Sequence, residues 1–344
     1  MKALFVLGVD QEDRPERWRA AHRVFASLAT GLAGLGIDHH LYAHRASVKP
    51  KILQPGHYDF ADVVALDELL RRADYTHAFI WGGRRLADRN IVATLSARNI
   101  RCIYGELGWF PQAGHAYFSQ HGTNAECRLG DEGLAEHRLN PWALRWVRGR
   151  IVRSLVGLRD SFSVPALEGY ARFDSSRPIL LPLQDETDTN ITLSSPLARM
   201  SDFVRLFAEK YPNQQFIARP HPSAPVALDA RLPNVEIQDS AVNPFRRWRD
   251  YGGVIGINST TLLQFSLLGL PVCGIGQGIG TGNRAYIDLD INNLPAGLES
   301  LSMDRADRRH FHDFLIRRKQ LVTSKLSSPR YLRTTYIPAY FGIT

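Results

Sequence analysis

Two carboxylates in the sequence have surroundings that suit acid–base or nucleophilic chemistry. Glu106 directly follows the apolar run 101–105 and precedes a glycine and two aromatic residues, whose apolar character would shift its pKa. A carboxylate that only caps a turn is the alternative there. Asp188 is the last of three acids after the apolar run 179–183, where a solvated acidic loop is the alternative. Position alone therefore leaves both roles open at both residues.

A second group of residues suits a phosphate. Residues 219–222 read Arg-Pro-His-Pro, and the prolines restrict Arg219 and His221 to extended backbone conformations. The arginine would supply fixed positive charge, and the histidine would donate a hydrogen bond or a proton. This pair therefore fits a phosphate leaving group, with a structural turn as the alternative.

A third cluster predicts a helix N-terminus that binds an anion. Asn258, Ser259 and Thr260 follow the run 253–257 and lead into an apolar segment that ends before Gly269. Hydroxyl residues cap helices, and the free amides of a first helical turn attract anions. Ordinary capping gives the same pattern, so the cluster gains weight mainly from its spacing to the Arg-Pro-His-Pro run.

The elements that must position these residues alternate between strands and helices. Such alternation predicts an α/β fold with parallel sheets covered by helices on both faces. The strands are expected at 2–9, 37–43, 77–81, 101–105, 179–183, 215–219, 235–238, 253–257 and 271–274. The helices are expected at 15–33, 66–73, 86–98, 141–160, 196–210, 261–268 and 305–325, with an irregular connection over 110–140.

The length of the chain and the repetition of this pattern predict two domains. A chain of 344 residues exceeds the size at which one core usually keeps growing. We expect two Rossmann-type, doubly wound domains facing a cleft, over residues 1–172 and 173–326, followed by a tail over 327–344. Ligands of such sheets bind beyond the carboxyl ends of the strands, where the polar clusters fall.

Charge and missing motifs exclude several classes. The net charge of +8 favours anionic partners, but the arginines are dispersed and no nucleic-acid-binding motif is present, so we expect no nucleic acid partner. No glycine-rich dinucleotide or Walker motif follows the first strand. No signal peptide precedes that strand, and no run reaches the roughly 18–20 apolar residues of a membrane span. A cytoplasmic protein is the expectation.

The basic, aromatic segment 142–159 has two interpretations. Leu144, Val147, Ile151, Leu155 and Leu158 follow helical spacing, and the segment also contains five arginines. Such a helix could lie on an anionic inner membrane. The alternative is a helix packed on the N-terminal domain, with a solvated basic face.

The ordered motifs resemble a known family. Glu106-x-Gly108, Gln184-x-x-x-Asp188, His221-Pro222 and Ser259-Thr260 are similar to motifs of the capsule-polysaccharide synthesis family of bacterial GT-B glycosyltransferases. The retaining β-Kdo transferases, which use CMP-Kdo, are the most similar group. The last two motifs are also similar to those of bacterial sialyltransferases. The resemblance covers roughly residues 100–280. It departs at Leu107, where the family often has aspartate, and at Gln264, where many GT-B enzymes hold the ribose with glutamate.

The resemblance implies a mechanism and a set of binding residues. Asp188 would be the nucleophile, and Glu106 would transfer the acceptor's proton. His221, which would also take part in catalysis, would stabilise the departing CMP phosphate together with Arg219 and the Ser259-Thr260 helix end. The remaining donor-binding residues would be Gln184, Asn258 and Gln264.

The resemblance also implies the partners. They would be a CMP-sugar donor and a glycan or lipid-linked saccharide acceptor, without a metal or cofactor. Peripheral contact with the inner membrane is an expectation that rests on the basic segment 142–159. The alternatives are an inverting, sialyltransferase-like enzyme, a UDP-sugar transferase or epimerase, and a binding module without activity.

Overall fold

Two six-stranded sheets organise the chain. The computed structural model describes residues 1–8, 15–43, 66–222, 224 and 232–343. In chain order the strands are β1 (Lys2–Leu7), β2 (Asp38–Ala43), β3 (His77–Trp81), β4 (Arg101–Leu107), β5 (His115–Ser119), β6 (Tyr170–Arg172), β7 (Ile179–Pro182), β8 (Phe216–Arg219), β9 (Val235–Ile237), β10 (Gly253–Gly256), β11 (Val272–Gly274), β12 (Ile287–Asp288), β13 (Ser302–Asp304) and β14 (Leu321–Val322). The α-helices are α1 (Pro15–Ala33), α2 (Leu66–Arg72), α3 (Leu86–Ser96), α4 (Pro141–Val156), α5 (Leu158–Ser161), α6 (Thr189–Thr192), α7 (Met200–Lys210), α8 (Thr260–Leu268), α9 (Arg305–Phe314), α10 (Pro329–Leu332) and α11 (Ile337–Tyr340).

Contacts divide the chain into two compact units. Unit 1 comprises Met1–Arg128 and Arg318–Thr344, and unit 2 comprises Leu129–Arg317. The sheet of unit 1 has the order β14-β5-β4-β3-β1-β2, and that of unit 2 the order β12-β11-β10-β7-β8-β9. Strands β1, β3, β7 and β10 are almost wholly buried and apolar, as expected for parallel strands covered on both faces. The predicted α/β class with two Rossmann-type sheets is confirmed.

The unit boundaries differ from the predicted domains. The prediction ended the first domain at residue 172 and separated a tail at 327, whereas residues 129–172 belong to unit 2 and 318–344 to unit 1. Helix α4 packs on α8, α9 and the short helix Pro244–Asp250 of unit 2. Leu326, Leu332 and Ile337 are fully buried in the core that covers one face of the unit 1 sheet. Both segments therefore follow the core that buries their apolar side chains.

Two predicted elements are wrong in the structure. The connection expected to be irregular contains β5, which pairs antiparallel with β4 so that Glu106 lies opposite Tyr117. The helix expected over 305–325 is α-helical only to Phe314 and continues as a π-helical turn over Leu315–Lys319, after which β14 pairs antiparallel with β5. Leu321 of β14 is buried in the unit 1 core. No described helix has the length and apolar character needed to cross a membrane.

Candidate active site

The sheet of unit 2 has a switch point between two central strands. From β7 the chain adds β8 and then β9 on one side, and it later adds β10, β11 and β12 on the other. Every neighbouring pair in this sheet is parallel, so the carboxyl ends of the strands share one edge. A crevice opens where strand order reverses, and ligands of such folds bind there. The segments after β7, β8 and β10 bring the candidate residues of unit 2 to this edge.

Gln184 and Asn258 join the two strands at the switch point. The Gln184 Nε2 donates to Asn258 Oδ1 at 3.0 Å, and the Asn258 backbone amide donates to Gln184 Oε1 at 3.3 Å. The Asn258 Nδ2 also donates to the carbonyls of Asn190 at 2.8 Å and Gln277 at 3.0 Å. These side-chain amides therefore hold three segments of the edge together. This arrangement fits a supporting role for both residues better than direct contact with a donor.

The three acids after β7 each accept hydrogen bonds from the backbone. Asp185 Oδ1 accepts from the amide and hydroxyl of Thr187, and Glu186 Oε1 accepts from the Met200 amide at the start of α7. Asp188 is half-buried, and its Oδ1 accepts from the Asn190 amide at 2.9 Å, capping α6. One oxygen of Asp188 thus fixes the carboxylate in place. Among the three, Asp188 lies nearest in sequence to the Asn190 carbonyl that Asn258 binds.

Helix α8 is held at both ends. Ser259 Oγ accepts from the Thr261 amide at 3.2 Å, so the serine caps the N-terminus at the switch-point edge, where Thr260 is the first helical residue. At the other end, Gly269 adopts a left-handed conformation with φ of 93°. The helix N-terminus carries partial positive charge, and its first amides suit an anion. Gln264 is half-buried one turn into the helix.

Three arginines bind the carbonyls at the C-terminus of α8. Arg148 donates to the Leu267 carbonyl, Arg305 to that of Gly269, and the fully buried Arg308 to those of Ser266 and Leu270. Burial, together with the charges of Arg305 and Arg148, lowers the pKa of the Arg308 guanidinium to about 9. These contacts neutralise the negative end of the helix and hold its N-terminus at the edge of the sheet.

Arg219 and His221 lie after β8, beside the switch point. The Arg219 Nη2 donates to the Ser240 carbonyl at 2.8 Å and its Nε to that of Val242 at 3.3 Å, while burial lowers the pKa of the guanidinium. Arg219 therefore fixes the segment after β9. His221 is half-buried, and its carbonyl accepts from the Ala224 amide. The prolines on both sides leave the backbone of His221 little conformational freedom, which restricts where its side chain can point.

Glu106 belongs to unit 1, near the carboxyl end of β4. The Glu106 side chain is half-buried, and its Oε1 accepts from the Leu107 amide at 2.8 Å. Opposite it lies Tyr117, whose phenol has a pKa raised well above the ordinary value by burial, with the charges of Cys127 and Glu106 adding to the shift. Glu106 therefore faces a phenol that stays protonated, in a partly apolar environment.

A glycine-rich segment that sequence reasoning missed supports the site of unit 2. Glycine occupies every second position from 274 to 282. A side chain at Gly276 would come within 2.6 Å of Ile257, and one at Gly278 within 3.0 Å of Asn258. The glycines let this segment pack directly on Asn258. Their alternation was the signal in the sequence that could have revealed it.

Unit 1 has a comparable edge, also missed from the sequence. Its sheet reverses strand order between β1 and β3. Gly82 and Gly83 follow β3 with φ of 74° and 86°. The next residue, Arg84, is buried, and its Nε lies 3.3 Å from Glu126 Oε1. The Thr123 hydroxyl donates to the Gly82 carbonyl at 3.1 Å. The Gly-Gly-Arg sequence after an apolar strand was the available signal for this turn.

The described residues contain no group of three or more histidine, cysteine or acidic side chains arranged to hold a metal. His137, His310 and Asp313 do come together in unit 2, but their contacts are with one another, with Arg317 and with the backbone. The acids after β7 likewise bind backbone amides.

Comparison with known proteins supports the fold. No family model and no curated protein matches the sequence. Among solved structures, a β-Kdo 2,7-transferase of KpsC from Thermosulfurimonas dismutans matches with a TM-score of 0.53 and 13% identity, over 97% of this chain and 100% of that one. A KpsC β-Kdo 2,4-transferase from the same organism matches with a TM-score of 0.52 and 15% identity, over 90% and 88% of the two chains. The resemblance expected from the motifs is thus confirmed at the level of architecture: this chain has a GT-B-like fold similar to that of the KpsC β-Kdo transferases.

Proposed function

We propose that this protein is a glycosyltransferase that moves Kdo from CMP-Kdo to a glycan or lipid-linked saccharide. The observation that carries the proposal is the edge of unit 2. There Asp188 and the capped N-terminus of α8 flank the switch point of a sheet whose fold is similar to that of β-Kdo transferases. These two groups suit a sugar linked to a phosphate, because the carboxylate can act on the sugar and the helix end can bind the phosphate.

The donor would bind through its phosphate. The first-turn amides of α8 would donate hydrogen bonds to the CMP phosphate, with Ser259 and Thr260 at the helix start. His221 would donate a further hydrogen bond as charge develops on the leaving group. Gln184, Asn258 and Arg219 would hold the surrounding segments in place, because their polar atoms bind other parts of the protein. Gln264, one turn into α8, would contact the nucleotide part of the donor.

The chemistry would proceed by double displacement. An oxygen of the Asp188 carboxylate attacks the anomeric carbon of Kdo, while the bond to the phosphate breaks and CMP leaves with the electron pair. The acceptor hydroxyl then attacks the same carbon, Asp188 leaves as a carboxylate, and Glu106 takes the hydroxyl proton. Two inversions give net retention, following the two-carboxylate logic of retaining glycosidases. The basic net charge of +8 suits a donor with a phosphate and a carboxylate.

CMP alone should stabilise the protein without a divalent metal. A ligand present at about 100 times its Kd adds about 2.7 kcal/mol to the free energy of unfolding, which should raise the melting temperature by roughly 5–10 °C. Thermal melts with CMP, UDP and GDP, each with EDTA or with Mg²⁺, measure this directly. Stabilisation by UDP alone, or only with Mg²⁺, would contradict the choice of donor. His221→Ala should reduce the CMP effect but leave the melting temperature of the free protein nearly unchanged.

Ser259→Asp should separate capping of α8 from binding of the phosphate. Aspartate is a good N-cap, so the melting temperature of the free protein should stay within about 1 °C of the wild type. Its carboxylate would occupy the first-turn amides and repel the phosphate, weakening CMP binding at least about tenfold. Calorimetric titration measures the affinity. Ser328→Asp is the matched control, because Ser328 caps α10 of unit 1, and it should bind CMP normally. Wild-type affinity in Ser259→Asp would place the phosphate elsewhere.

A further inference from the structure

The outward face of α4 combines aromatic and basic side chains. Trp142 is 80% exposed and Trp146 is 64% exposed, and Arg145, Arg150 and Arg153 are exposed beside them. Trp142, Trp146, Arg150 and Arg153 follow one another at spacings of three to four, and Arg145 lies three positions after Trp142, so the five share one face of the helix. We refer to these five residues as the α4 face. Two tryptophans so exposed contribute little to the packing of the fold.

The opposite side of α4 anchors the helix in unit 2. Leu144, Ile151 and Val156 are buried there. Between them, the Arg148 guanidinium donates to the Leu267 carbonyl at 2.8 Å and to the Pro165 carbonyl at 2.7 Å. Helix α4 is therefore packed within unit 2, whereas one of the two interpretations of the sequence placed it on the N-terminal domain. This attachment leaves the α4 face turned to solvent on a firmly held helix.

The charge of the α4 face is uncompensated within the helix. Helix α4 contains no acidic residue, and none of its three exposed arginines forms an ion pair with any residue that the structure describes. The Arg150 guanidinium instead lies over the Trp146 ring, 5.0 Å from its centroid. The pattern continues past Gly157, where Leu158 is 64% exposed and Phe162 is 81% exposed. The whole stretch offers positive charge and apolar side chains together.

We propose that the α4 face docks the protein on an anionic phospholipid surface. Each tryptophan of the α4 face projects on its own from the helix, and a lipid surface can surround such a side chain without a matching pocket. Tryptophan is enriched at the level of lipid headgroups, because its ring is apolar and its N–H is polar. Arginine pairs well with phosphate oxygens. The proposal concerns a surface and needs no substrate, so it stands or fails independently of the proposed reaction.

Vesicle co-sedimentation of the full chain tests the docking. Vesicles of phosphatidylglycerol and phosphatidylcholine should bind the protein at low salt, and vesicles of phosphatidylcholine alone should bind it far less. Each basic residue near an anionic surface contributes about fivefold to partitioning, so Arg145→Gln/Arg150→Gln/Arg153→Gln should bind about a hundredfold more weakly. Trp142→Ala/Trp146→Ala should lose at least about tenfold, because two apolar rings no longer leave water. Binding should vanish near 1 M salt.

A matched variant controls for net charge. Arg89→Gln/Arg330→Gln/Arg333→Gln removes three exposed arginines of unit 1 and should bind as the wild type does. Brominated lipid should quench wild-type tryptophan fluorescence on binding, and Trp142→Phe/Trp146→Phe should lose that quenching. Three results would overturn the proposal: no sedimentation of the wild type with anionic vesicles at low salt, full binding by the α4 arginine variant, or an equal loss in the unit 1 control.

Discussion

Asp188→Asn should abolish sugar transfer while leaving the fold intact. The asparagine Oδ1 can still accept from the Asn190 amide and cap α6, so the local structure keeps its hydrogen bond. The amide cannot act as a nucleophile. Turnover should therefore fall on the order of 10³-fold or more, as when a covalent nucleophile is removed from other enzymes. Transfer assays with CMP-Kdo and thermal melts of the same preparation measure the two effects separately.

The covalent intermediate gives the sharper readout. Incubation with CMP-Kdo without an acceptor should leave a sugar-sized adduct on the peptide that contains Gln184–Ile191, detectable by mass spectrometry. Asp188→Asn should show none. Glu106→Gln should slow transfer and let the adduct accumulate, because the acceptor hydroxyl then lacks its base.

Asp185→Ala is the matched control for these measurements. The Asp185 carboxylate accepts from the amide and hydroxyl of Thr187, two contacts within its own turn, so this variant should keep substantial activity. A product of inverted configuration, or near-normal turnover of Asp188→Asn, would remove double displacement and leave the inverting mechanism.

Asp313→Ala should destabilise unit 2 by about 3–5 kcal/mol, the usual cost of removing one partner from a buried charged network. The Asp313 carboxylate is fully buried and accepts from His137 Nε2 at 2.8 Å, from the Asn140 amide at 3.0 Å and from Arg317 at 3.0 Å. It therefore fastens the start of unit 2 to α9. Urea unfolding followed by circular dichroism measures the loss, and hydrogen exchange should rise most over residues 137–140.

Asp307→Ala is the control on the same helix. Asp307 is exposed and lies 3.6 Å from Arg284, in an ion pair that solvent screens. Its removal should cost less than about 1 kcal/mol. Equal stability of the two variants would show that the Asp313 network contributes no more than a surface pair.

The strands and their order along the chain were largely predictable, because a strand buried on both faces must be a short apolar run. The runs 179–183 and 253–257 correspond to β7 and β10 within one residue. Strand β5 was not predictable in this way, because its run is short and polar residues border it. Nor was the end of α9, because an apolar residue such as Leu321 can continue a helix or join another core, and only the fold shows that it joins the unit 1 core.

The chemical groups at the strand ends could be read from local residue types, because strand ends and helix caps follow from them. Glu106, Asp188, His221 and Ser259 could all be identified in this way. The hydrogen-bond partners of the polar side chains became clear only from the folded chain. Gln184 binds Asn258 across 74 positions of sequence, and Arg219 binds the Ser240 and Val242 carbonyls beyond the next strand. A hydrogen bond needs two groups within about 3 Å, and residues far apart in sequence reach that distance only when the sheet forms.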